Sequence, residues 1–211
     1  MFLVKIKPMN QLIYVLSFLF SYALSAQNIS LINRDIGISD SLSYEHEIRI
    51  YQNQGITNYS SLFRMYQRED NSWNAEFYEH FDGIEPKVIK KVLTPISEHD
   101  YIFQNFLRSF ALEIPNSDTI KWKLATSREV ILYLDTIRGV PERKYWSTMG
   151  QMTFVDGQSF SFQIKDLKDY NSFEYGNPSA YLNHFPEIDE IQYVNEILSI
   201  VRSEFDIWKT E

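Results

Sequence analysis

Cysteine is absent from all 211 residues. That excludes disulfides, thiolate metal sites, cysteine nucleophiles and a lipid anchor carried on a cysteine. Histidine occurs four times and glycine seven times, which is sparse for active-site loops. No glycine-rich phosphate loop or dinucleotide fingerprint is present, and no G-x-S-x-G elbow supports a serine nucleophile. Long hydrophobic runs are also lacking. The most apolar stretch, Leu12 to Phe20, is too short to cross a bilayer, which takes roughly 20 apolar residues.

That stretch follows Lys5 and Lys7 and precedes the small residues of "SYALSA". A positive start, a short apolar core and a small-residue end are the layout of a secretory signal peptide. Residues 1–26 are read as that peptide, with cleavage after Ser25 or Ala26. The mature chain is then expected in the periplasm or outside the cell, with no membrane insertion after cleavage. Losing the two lysines moves the net charge from -8 to about -10. So acidic a chain does not hold phosphate backbones by counterion release, and no nucleic-acid partner is expected. Without disulfides an exported domain is held by its core alone, and an aromatic content of 16% supplies large side chains to bury.

Residues 27–42 are polar without clear periodicity and read as a tether. A single α+β domain is expected over 43–211. In "YEHEIRIY" Tyr44, His46, Ile48 and Ile50 alternate with Glu45, Glu47 and Arg49, a strand pattern. The runs around Phe63 and Phe77 alternate likewise and should pair as a hairpin. If Glu69-Asp70-Asn71 is the loop, Met65 faces Ala75, Phe63 faces Phe77 and Arg64 faces Glu76, keeping both apolar sets on one side. "KVIKKVLTPI" reads as an edge strand because of its lysines and Pro95. A helix follows, capped by Ser97 and carrying Ile102, Phe103, Phe106, Leu107 and Phe110 as its apolar stripe.

"TIKWKLA" alternates as a strand, and the continuous apolar run "EVILYLD" fits a central strand or a short buried helix. "GQMTFVDGQSFSFQI" reads as a hairpin turning at Asp156-Gly157, with Met152 opposite Phe160. Asn177 and Pro178 open a short helix. Pro186 opens a longer one with Ile188, Ile191, Val194, Leu198, Val201, Phe205 and Trp208 along its core side. Strands, helix, strands, helix is the order of an α+β fold. Its sheet should be largely antiparallel, with two main helices packed on one face.

Three of the four histidines follow a glutamate, in "YEHEIRI", "FYEHFDG" and "SEHDY". A zinc site needs three or four converging ligands, whereas adjacent residues on a strand point to opposite faces. No metal and no cofactor are expected. The reading is one half-buried histidine and three at the surface.

The surface that stands out is the polar face of the first hairpin: Arg64, Tyr66 and Arg68 beside Asn74, Glu76, Tyr78 and His80. Arginine and tyrosine are over-represented at protein interfaces, so these residues are the candidate partner-binding set. A second candidate is the aromatic, amide-rich segment from Asn171 to Pro186. Function is read as binding, with a protein partner favoured over a small molecule. An inhibitor or immunity-type protein of the cell envelope is the concrete form. A carboxylate-dependent, carbohydrate-active envelope hydrolase and a structural envelope component are the alternatives.

Overall fold

The computed structural model describes residues 29–54, 57–137, 140–152, 154 and 157–208. The expected signal peptide lies outside the described residues, as does Asp156 of the expected turn. Among the described residues the chain forms eight strands and four helices, an α+β fold in which every strand pairing is antiparallel.

Helix α1 covers 29–36. A meander follows: β1 (His46–Gln54), β2 (Tyr59–Gln67), β3 (Trp73–Phe81) and β4 (Val88–Leu93). After helix α2 (His99–Arg108) and a 3-10 turn (Ser117–Ile120), β5 (Ala125–Ile137) and β6 (Val140–Gln151) pair only with each other. The chain then returns to the main sheet with β7 (Gln158–Asp166) and β8 (Asp169–Gly176), and ends in α3 (Pro178–His184) and α4 (Asp189–Phe205). The six-stranded sheet runs β4-β3-β2-β1-β7-β8, so β1 is central and β4 is an edge, as its lysines predict.

The β2–β3 register is the one the apolar faces demand, with Met65 opposite Ala75, Phe63 opposite Phe77 and Arg64 opposite Glu76. Asn71 takes the left-handed conformation that closes this loop (φ 62). One face of the sheet, with Ile48, Ile50, Phe63, Phe77, Phe160 and Phe162, joins the buried faces of α2 and α4 in the main core. On α4 these are Ile191, Val194, Ile197, Leu198, Val201 and Phe205, the three-and-four spacing seen in the sequence. Trp208, just beyond α4, packs edge-on against Phe77 and Phe160 and donates to the Ser61 hydroxyl (2.9 Å).

Several expectations are corrected. The helices number four, where two main ones and a short one were expected, and they lie on both faces of the sheet. The segment read as a tether is the reason, because Ile32 of α1 joins Tyr51, Leu62 and Tyr78 in a second core on the opposite face, with Ile29 and Ile36 beside it. Ser97 does not cap α2; its hydroxyl and its N–H both donate to the Glu204 carboxylate (2.9 and 2.8 Å), tying the start of α2 to α4. Phe110 is not part of the α2 stripe, because the helix stops at Arg108 and Phe110 turns left-handed (φ 55).

"TIKWKLA" is a 3-10 turn followed by further turns, not a strand. The Met152–Phe160 hairpin does not form: Phe160 pairs with Gln52 of β1 and Tyr175 of β8 instead. Pairing with β1 and β8 places Phe160, Phe162 and Ile164 of that strand in the main core, beneath the helices.

Candidate interaction sites

The predicted Arg–Tyr strip is not a solvent-facing surface. Arg64, Tyr66, Glu76, Tyr78 and His80 are buried, Asn74 is half-buried, and only Arg68 stays exposed. The residues do share one face of the β2–β3 hairpin. Helix α1 and the strap that follows it cover that face. Tyr44 of the strap stacks on Tyr66 (centroids 4.4 Å apart), and the Arg64 guanidinium lies 4.3 Å from the Tyr66 ring centre. Asp35 of α1 meets His80 Nε2 at 3.0 Å, and Tyr51 donates to Asn33 (2.8 Å).

Beneath the strap lies a fully buried ionic network. The Glu47 carboxylate accepts from Arg49 Nε and Arg64 Nε (both 2.8 Å) and from the strap N–H groups of Ser43 and Tyr44 (2.7 and 3.1 Å). Arg49 in turn donates to the strap carbonyls of Ser39 (2.5 Å) and Ser41 (3.2 Å). A buried charge is tolerable only when paired and hydrogen-bonded, and here each partner is.

Glu76 accepts from Lys90 (2.7 Å) and from Tyr78 (2.7 Å). Burial raises its carboxyl, yet these two bonds and the nearby charges of Lys90 and Arg64 hold it below its ordinary value. Tyr78 is pushed up to about 12 by burial and by the Glu76 carboxylate. The two buried carboxylates on this face are thus committed to arginine, lysine, tyrosine and backbone partners.

The glutamate–histidine pairs separate as strand alternation requires. His46 is half-buried, with Nδ1 2.6 Å from Asp166. His80 is buried, against the expectation of a surface position, because α1 closes over it. His99 stacks on Trp73, and its own burial lowers its pKa. His184 is exposed.

What the structure leaves exposed is the β5–β6 ribbon. "EVILYLD" is neither a central strand nor a buried helix. Val130 and Leu134 are each 71% exposed, Leu132 51% and Tyr145 on the facing strand 71%. Pairing of Leu132 with Tyr145 and Leu134 with Arg143 puts these side chains on one face with Arg128 and Arg143. Trp122 adjoins the root of that face, where its carbonyl accepts from Arg128 (2.5 Å) and its ring lies 5.6 Å from the same guanidinium.

At the ribbon's root a cavity of about 350 Å³ opens. Leu124 and Phe154 line it from the two ends of the ribbon, Tyr175 and Asn177 from the end of β8, Tyr181 from α3 and Ile191 from α4. Much of the wall comes from the aromatic, amide-rich segment that the sequence offered as its second candidate. No family model matches the chain, and no curated protein or solved structure is significantly similar to it. The two sites therefore rest on their own geometry. Among the described residues, no helix is long and apolar enough to cross a membrane.

Proposed function

We propose that this chain is an exported binding protein that docks a protein partner through the apolar face of its β-ribbon. The observation behind this reading is the exposure of Val130, Leu132, Leu134 and Tyr145 on a two-stranded sheet that pairs with nothing else among the described residues. An isolated two-stranded hairpin is marginal in water, and contiguous exposed apolar patches mark interaction sites. Trp122, 55% exposed, adds to the face at its root. Its tryptophan, tyrosine and arginines are the residue types enriched at interface hot spots.

Charge narrows the partner. Arg128 and Arg143 flank the apolar centre on a chain whose net charge is -8. The complement is a protein surface with an apolar centre and an acidic rim. An inhibitor or immunity-type protein that occludes an extracytoplasmic enzyme is the concrete form of this reading.

The test is site-specific photo-crosslinking in the native host, with the crosslinking residue at Leu132 or Tyr145 on the apolar face and at Tyr133 on the other. One envelope protein captured from the first two positions only, with capture reduced by salt and by Arg143→Glu, supports the proposal. No adduct, equal adducts from both faces, or adducts only to a second copy of this chain overturn it.

A further inference from the structure

The cavity at the ribbon's root is chemically distinct from the ribbon face, and it is built with some care around one side chain. Asn177 holds a left-handed backbone (φ 47, ψ 47), and its carboxamide makes no capping bond to the helix it precedes. The carboxamide lies directly over Gly157, where a Cβ would fall 1.3 Å from Oδ1. The left-handed asparagine, lying over a residue that has no side chain, places an amide in the cavity wall.

The remaining polar groups are equally specific. Tyr175 donates its hydroxyl proton to the Pro115 carbonyl (2.9 Å) and Tyr181 donates to the Met152 carbonyl (3.0 Å). With the protons committed, both phenolic oxygens offer the cavity only lone pairs. Neighbouring ammonium groups are committed too: Lys121 pairs with Asp118 and Lys123 with Glu190, each at 2.5 Å. Among the described residues, neither an anion nor a cation finds an unmatched counter-charge there. The apolar part of the wall is largely aromatic, with Phe154 set edge-on to Tyr181 (4.9 Å).

We infer that the cavity binds a neutral saccharide of one or two rings. Hydroxyl donors match the phenolic and amide acceptors, a C–H ring face matches the aromatic wall, and the absence of net charge matches the paired lysines. The volume of about 350 Å³ lies in the range of roughly 300–1,000 Å³ typical of small-molecule pockets. This inference stands independently of the ribbon's protein partner.

It is tested by calorimetry and saturation-transfer NMR on the mature chain, with maltose, cellobiose and N,N′-diacetylchitobiose each titrated to about 20 mM. At least one should saturate with a Kd below about 5 mM. Asn177→Gly should weaken that binding about tenfold or more, since it removes the carboxamide while relieving the left-handed backbone, so misfolding does not explain the loss. Lys168→Ala, in the exposed β7–β8 turn, should leave it unchanged. If none of the three sugars saturates, or if Asn177→Gly binds as tightly as the parent, the inference is wrong.

Discussion

Replacing Glu47 with alanine tests whether the N-terminal strap is a structural part of the fold. Glu47 is fully buried and accepts four hydrogen bonds, two from guanidinium groups and two from strap N–H groups. Removing the carboxylate leaves two buried cations short of their counter-charge. Arg49 keeps the Ser39 and Ser41 carbonyls, and Arg64 keeps Glu76 at 3.8 Å, which limits the damage. Breaking a buried pair costs about 3–5 kcal/mol. With an m-value near 2 kcal/mol per molar urea, the unfolding midpoint should fall by about 2 M.

Glu47→Gln keeps the shape but turns an amide donor toward groups that donate, and should lose roughly 2–3 kcal/mol. In that variant the amide protons of Ser43 and Tyr44 should exchange faster while those of the β1 interior stay protected, because the damage is local to the strap. A cost under about 1 kcal/mol for Glu47→Ala, with unchanged exchange at Ser43 and Tyr44, would refute the idea that this network fastens the strap.

Two further outcomes follow from the same geometry. The hydrogen bond to His80 holds the Asp35 carboxyl below its ordinary value of 3.8. A depressed carboxyl stabilises the fold above the unfolded value, and that contribution is lost as pH falls through the folded one, since the unfolded state then binds more protons. Acid titration of stability should therefore steepen below about pH 4, and Asp35→Asn should flatten the curve in that window. A parallel curve for Asp35→Asn counts against the α1–β3 contact. Gly157→Ala should cost up to about 1 kcal/mol, by making the Asn177 carboxamide swing away from the added methyl group. Combining it with Asn177→Gly should recover most of the loss, and strictly additive effects would show that the two do not meet.

The strand pairing of the first hairpin was readable because parity is strict. An odd loop aligns the apolar faces and an even one inverts them, so Met65, Phe63 and Arg64 had one consistent set of partners. The α4 stripe was readable for a similar reason, since Ile191, Val194, Leu198, Val201 and Phe205 at spacings of three and four admit one face, although the helix stops at Phe205 and Trp208 falls beyond it. Burial of the polar face was not readable from the hairpin itself. Arg64, Tyr66, Glu76 and Tyr78 look like a solvated strip until α1 lies over them, and what they form is an internal network. A signal existed in Ile29, Ile32 and Ile36, spaced three and four apart, but three apolar residues in a short polar segment are a faint stripe.

The ribbon failed in the opposite direction. A run such as Val130 to Leu134 counts as core under any rule that equates apolar with buried, yet here it faces outward. The cavity was half visible, as an aromatic and amide-rich segment. Its other wall comes from the ribbon's root and α4, which only the fold brings near.

The placement of β1 has a consequence for how the chain is made. This strand emerges from the ribosome before the other strands and pairs with β2 at once, but its second edge waits for β7, more than a hundred residues later. Until then Ile48 and Ile50 border an open, apolar edge, the template on which nascent chains misassemble. Closing so long a loop is slow. The interval during which the protein is most prone to aggregate is thus set by the time the chain takes to bring β7 to β1. Variants that shorten the β5–β6 insertion should fold faster and aggregate less during synthesis, even where their final stability is unchanged.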